Sequence, residues 1–241
     1  MTLSSRVGRY LTFILLISLS ALVGILNLTG VTPAVQAGTA AVVTLYPDHD
    51  ARVSEGSPTT NYNGQQLQVG WSPSSGGRNQ SLIRFDLTGL PAPIVINQAT
   101  LRVYVRDVSG AVPRDIIVRR VLGVWDEATV TWNNRPALGP IQTATAVGAA
   151  GWVTWDVTAQ VQRWVDGVDS NDGFFLVGPT GVPAYEFYLA SKEVTPAPEL
   201  IIDYDLRSTR TPTPSPTPLP TFTPLPTFTP TPTRAATYTP T

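Results

Sequence analysis

Cysteine is absent from this sequence, and histidine occurs once, as His49. The first absence removes disulfide frameworks, thiol nucleophiles and thiolate metal sites together. The second leaves no material for a histidine-rich zinc centre or a histidine-based triad. Charged residues are scarce as well, at 14%, and they balance to a formal net charge of −1. Such a balance lacks the excess of Lys and Arg that nucleic-acid phosphates require. No glycine-rich phosphate loop is present either. What remains is a chain of 241 residues, 42% of them hydrophobic, which is enough for one substantial core without covalent staples.

Two terminal segments stand apart in composition. Residues 1–37 read as an export signal, with Arg6 and Arg9 ahead of an uncharged apolar run from Leu11 to Leu28 and a small-residue processing site ending at Ala37. That run is roughly 18 residues, long enough to serve instead as an uncleaved membrane anchor. Both readings place the remainder outside the cytoplasm, secreted or attached to the cell envelope. Residues 208–241 are mostly Thr and Pro, with Thr221–Pro226 echoed by Thr227–Pro230. Proline at nearly every second position removes backbone donors, so this tail is expected to be disordered, extended polyproline II acting as a spacer. "LPTFT" at Leu219 lacks the residues of a sorting signal, and no hydrophobic stop follows it.

Between them, residues 38–207 alternate with period two and are broken by Gly, Pro and Asn turns. "SLIRFDL" sets Ile83, Phe85 and Leu87 against Arg84 and Asp86; "ATLRVYV" sets Leu101, Val103 and Val105 against Arg102 and Tyr104. "GWVTWDV" alternates Val153, Trp155 and Val157 against Trp152, Thr154 and Asp156, while "GFFLVG", "YEFYLAS" and "ELIIDYDL" supply further strands. One stretch departs from this period: Val157, Val161, Trp164 and Val165 form a helical stripe, with Asp156 or Thr158 placed to cap it and Gly167 to end it. The pattern predicts an all-β antiparallel β-sandwich with one short helix.

The blocks "NYNGQQLQVG" (61–70), "SLIRFDLTGLP" (81–91), "ATLRVYV" (99–105), "WDEATVTWNNRP" (125–136), "GWVTWDVTAQVQRWVDG" (151–167), "NDGFFLVG" (171–178) and "ASKE" (190–193) together resemble the DNRLRE domain, also grouped as carbohydrate-binding module family 96. The resemblance implies a jelly-roll sandwich that accompanies secreted polysaccharide-degrading enzymes or sits in cell-surface proteins, with alginate a ligand of some members. The shared blocks are strand cores and turns, so they carry fold more directly than ligand residues. In "WDEATVTWNNRP", Val130 and Trp132 read as a strand end, Asn133-Asn134 as a turn that Arg135 covers, and the adjacent Asp126-Glu127 as solvated surface.

The ligand-binding candidates follow from the alternation. Arg84 points away from the core on one strand, and Arg102, Tyr104 and Arg106 do so on another. If those strands are neighbours, guanidinium groups and a tyrosine line one face that suits the carboxylates of a uronic-acid polymer. Trp71, in the loop-like "GWSPSSGGRNQ", is the best candidate for an exposed aromatic. Asp48, Asp50 and Glu55 are hard oxygen donors that could hold calcium, without EF-hand spacing; no other cofactor is implied. No catalytic residues are nominated. The function expected is non-catalytic binding of a polysaccharide, an acidic one being favoured. The alternative is a structural or adhesive cell-surface domain with a protein partner, and a membrane contact arises only if the N-terminal segment is retained.

Overall fold

A computed structural model describes residues 40–207; the stretch read as an export signal and the Thr/Pro-rich stretch lie outside the described residues. These contain eleven strands, β1 (Ala40–Leu45), β2 (Pro47–Ser54), β3 (Leu67–Ser72), β4 (Gly77–Phe85), β5 (Ile94–Gly110), β6 (Arg114–Leu122), β7 (Ala137–Val147), β8 (Gly151–Asp156), β9 (Phe174–Val177), β10 (Tyr185–Leu189) and β11 (Glu199–Leu206). A single α-helix, α1 (Thr158–Val165), joins β8 to the β9 approach, and a 3-10 turn (Pro73–Ser75) lies between β3 and β4. All strand pairings are antiparallel, in the order β1-β11-β5-β10-β3-β4-β9-β6-β7, with β2 on β4 and β8 on β5. The sheet curls so that its two halves share one core, the all-β antiparallel sandwich that the alternation implied.

The long strand β5 organises one half. One of its edges pairs with β11 and then β10, and the other pairs with β8. Leu101, Val103 and Val105 are buried, with Arg102 and Tyr104 half-buried between them. A bulge then follows, because Tyr188 faces Asp107 while Leu189 faces Val105. The extra residue leaves both Arg106 and Asp107 exposed and moves the next inward position to Val108. In β8, Val153 and Trp155 point inward, the Trp155 indole N–H donating to the Ile116 carbonyl at 3.0 Å. Helix α1 lays Val161 and Trp164 on the same core, and its entry is held by Asp156, whose Oδ1 accepts the Thr158 amide at 2.9 Å. Gly167 ends it with a φ of 67°.

The other half departs from simple alternation. All four residues of β9 are buried: Phe174 and Leu176 face the shared core, while Phe175 and Val177 join Leu82 in a second cluster. An apolar outer face needs a cover, and the segment between β6 and β7 supplies it. Trp125, Val130 and Trp132 from "WDEATVTWNNRP" lie over β2, β4, β6 and β9 to complete this second core. The strand end expected at Val130–Trp132 is therefore an irregular loop, held by hydrogen bonds from Asn61 Nδ2 to the Glu127 and Val130 carbonyls at 2.8 and 2.7 Å. Asn134 makes the turn, accepting the Thr131 amide at 2.6 Å, and Arg135 covers Trp132 with its guanidinium 3.6 Å from a ring centroid.

Trp125 is 6% exposed, and its indole N–H donates to the Asp172 carbonyl at 2.8 Å. Trp125→Ala is expected to cost about 3–5 kcal/mol. Urea unfolding would show this as a lower midpoint at an unchanged slope.

Candidate functional site

The outer face of the β8-β5-β11 layer carries the most regular array of candidate ligand groups. Tyr104 faces Trp152 across the β5–β8 pair, and Arg102 faces Thr154 on one side and Glu199 on the other. The register thus places a tryptophan, a tyrosine and an arginine side by side. Trp152 is 38% exposed; Tyr104 meets it edge to face at 5.5 Å and 80°, and the Arg102 guanidinium carbon lies 4.1 Å from its ring centroid. Glu199 approaches Arg102 only to 3.4 Å, without a hydrogen bond. Among the described residues, neither Arg102 nor Arg106 donates a side-chain hydrogen bond. An exposed aromatic beside guanidinium groups that donate no hydrogen bond can present both an apolar surface and carboxylate-binding forks.

Two of the expected ligand residues do not join this face. Arg84 lies on β4, which β10 and β3 separate from β5, so the strands are not neighbours. Its guanidinium is committed to Asp48, with bonds of 3.0 and 2.6 Å to Oδ2, and lies 2.6 Å from His49 Nδ1. It lines a different cleft, of about 510 Å³, together with Asp48, Asp86 and Trp164. Trp71 ends β3 half-buried against the shared core, in register with Arg78 of β4 and Tyr185 of β10. Alternation along one strand placed Arg102, Tyr104 and Arg106 together; strand order, which alternation does not report, separated Arg84 from them. Alternation in β8 set Trp152 opposite Trp155, and the β5–β8 register then made it the neighbour of Tyr104 and Arg102.

The three carboxylates considered for calcium are each engaged elsewhere. Asp48 holds Arg84, Glu55 holds Arg78 through both oxygens, and Asp50 accepts the Lys192 amide at 2.6 Å. Among the described residues no group of three or more His, Asp or Glu side chains is placed to hold a metal. Glu127, read from the sequence as solvated surface, instead anchors the second core's loop. Its carboxylate accepts Lys192 Nζ at 2.5 and 2.7 Å and the Asp50 amide at 3.2 Å. This ties β2, the 123–136 loop and the "ASKE" turn together.

The profile of carbohydrate-binding module family 96 matches residues 41–204. The chain belongs to this family. The match spans β1 to β11, so the family 96 unit and the described sandwich coincide. The chain is also similar to the tRNA nuclease WapA of Bacillus subtilis strain 168, 28% identical over 177 residues that cover 68% of this chain. The tRNA3(Ser)-specific nuclease WapA of Bacillus spizizenii is 27% identical over the same length. The chain spans about 8% of the length of these curated relatives. Set on the family 96 sandwich, the blocks "WDEATVTWNNRP" and "ASKE" serve the second core and its ionic tie, while Trp152, Arg102 and Tyr104 stand on the open sheet face.

Asp50 is 1% exposed, and its Oδ1 has no hydrogen-bond partner. Burial pushes its carboxyl up to about 7, reinforced by Glu193 and Glu127 and opposed by the Lys192 amide and ammonium. In the unfolded chain the same group titrates near ~4. The fold therefore retains the proton between those values, and this contribution to stability, full below ~4, is lost as pH rises to about 7. Asp50→Asn should remove the dependence, giving a variant more stable than the wild type at pH values above this window and a difference that shrinks on acidification, read from urea midpoints across the pH range.

Proposed function

We propose that the chain is a non-catalytic, extracellular carbohydrate-binding module whose outer β8-β5-β11 face takes an acidic, uronate-type polysaccharide. The observation that carries this reading is the pair Arg102 and Arg106. Both are free of side-chain hydrogen bonds among the described residues, on the strand that also presents Tyr104 to the exposed Trp152. Most other arginines are committed to a carboxylate or a backbone carbonyl: Arg78 to Glu55, Arg84 to Asp48, Arg163 to Asp169 and Arg119 to the Gly139 carbonyl. A guanidinium already hydrogen-bonded to protein must give up that partner to bind a ligand; Arg102 need only release a Glu199 held at 3.4 Å. Membership of a carbohydrate-binding family supports sugar as the ligand class.

The nuclease activity in the relatives' names describes proteins of which the shared stretch is 8%. This chain's net charge of −1 does not favour a nucleic-acid backbone. Carboxylates spaced one per sugar ring ask for less, since a few local arginines can engage them.

Affinity electrophoresis of the chain in gels containing alginate, pectin, xylan or no polysaccharide tests the reading. Retardation by alginate and pectin, weakening as salt rises, is expected. The double variant Arg102→Ala/Arg106→Ala should lose about tenfold or more of that affinity, since hydrogen bonds to charged groups are each worth roughly 1.5–3 kcal/mol. Equal mobility in every gel would overturn the reading and favour a structural or adhesive role with a protein partner.

A further inference from the structure

Where β3 turns through Pro73–Ser75 into β4, the structure holds an open cleft of about 710 Å³, within the size range of small-ligand sites. Trp71, Glu55, Arg78, Thr180 and Gly181 line it. Its parts are fixed from several directions. Glu55 grips Arg78 through three bonds: Oε2 accepts Nε at 2.9 Å and the backbone amide at 3.0 Å, and Oε1 accepts Nη2 at 2.8 Å. Behind Arg78 stands Trp132 of the second core, its ring centroid 4.9 Å from the guanidinium carbon. Gly77 permits this closure, because a Cβ at its φ of 117° would lie 2.4 Å from Glu55 Oε2. On the other wall the buried Tyr185 donates its hydroxyl to the Pro179 carbonyl at 2.8 Å, pinning the loop that carries Thr180 and Gly181.

We propose that this cleft is a second carbohydrate site, one that takes a neutral sugar residue, distinct from the face assigned to uronates. The Arg78–Glu55 fork cancels its own charge, and Arg135, on the same Trp132, does not line the cleft, so a sugar carboxylate brought to Arg78 would also meet Glu55. A neutral sugar matches what the fork has left. Arg78 keeps Nη1 as a donor, and Glu55 Oε1, with a single bond accepted, keeps an acceptor site; adjacent hydroxyls each donate and accept. Trp71 adds an aromatic surface for the apolar side of a pyranose, and its indole N–H has no hydrogen-bond partner among the described residues. The hydroxyl of Thr180 adds a group that both donates and accepts, and Gly181 leaves bare backbone facing open space.

The test is calorimetric titration of the full chain with mannohexaose, xylohexaose, cellohexaose and a guluronate hexamer. Binding of at least one neutral hexasaccharide is expected, and it should not be displaced by guluronate. Trp71→Ala should weaken that binding about tenfold or more, equivalent to ~1.4 kcal/mol. Because Trp71 also touches the core, Gly181→Asn provides the second variant. Asn tolerates the φ of 71° there, and nothing lies within 4 Å of the added Cβ, so the variant adds a side chain at a cleft-lining position without a clash. A Gly181→Asn protein that binds the neutral sugar as tightly as wild type overturns the proposal. So does a chain that binds none of the neutral hexasaccharides, or one in which guluronate displaces them. Alginate retention in gels reads the outer face separately: its absence alongside neutral-sugar binding would remove the uronate reading and leave this one standing.

Discussion

Strand β9 buries all four of its side chains, and much of the molecule is arranged to satisfy that demand. A sheet with one apolar face can rest on a single core and leave the other to water. Phe175 and Val177, with Leu82 on β4, make the outer face apolar too, so it needs its own cover. The 123–136 loop provides one with two tryptophans, and its placement has consequences beyond packing. It draws Glu127 onto Lys192 beside the buried Asp50, and it sets Trp132 against the guanidinium groups of both Arg135 and Arg78. Arg78 in turn holds Glu55, and that pair forms one wall of the cleft beside Trp71. A hydrophobic requirement in mid-sheet thus reaches the cleft at the β3–β4 turn.

The arginines divide according to this architecture. Those near the second core and the helix end are committed to carboxylates, backbone carbonyls or aromatic rings, where they stabilise loops. Arg102 and Arg106 stand on the outer side of β5, where the neighbouring strands offer Glu199 at 3.4 Å to the first and no ion-pair partner among the described residues to the second. Exposed ion pairs add little stability, so leaving Arg106 unpaired, and Arg102 with only a 3.4 Å ion pair and the Trp152 ring, costs the fold little. The bulge between Arg106 and Asp107 keeps Arg106 on that side as the inward phase shifts to Val108.

Much of this was legible from residue order alone. The alternation of β5 and β8 correctly separated Leu101, Val103, Val105, Val153 and Trp155 from Arg102, Tyr104 and Trp152, because side-chain direction in a strand is a local property with period two. The helical stripe of α1, its hydrogen bonds at Asp156 and its stop at Gly167 were local in the same sense. The run "FFLV" was recognisable as a strand, but its burial on both faces depends on a loop some fifty residues earlier. That loop in turn looked like a strand end, since Val130 and Trp132 are spaced as a strand would space them.

Local spacing in the sequence by itself determined the strands β4, β5, β8, β9, β10 and β11, the helix and the outward set on β5, because each depends only on backbone periodicity and short-range hydrogen bonding. Which outward residues become neighbours was decided by the tertiary structure. Strand order placed Trp152 beside Arg102 and sent Arg84 to Asp48; long-range pairing drew Asp50, Glu127 and Lys192 into one network across separations of 65 to 142 residues. It also brought Glu55 to Arg78 and Trp71 to the same cleft. These contacts follow from how the sheet curls to bury two apolar faces, a global solution that no window of residues contains.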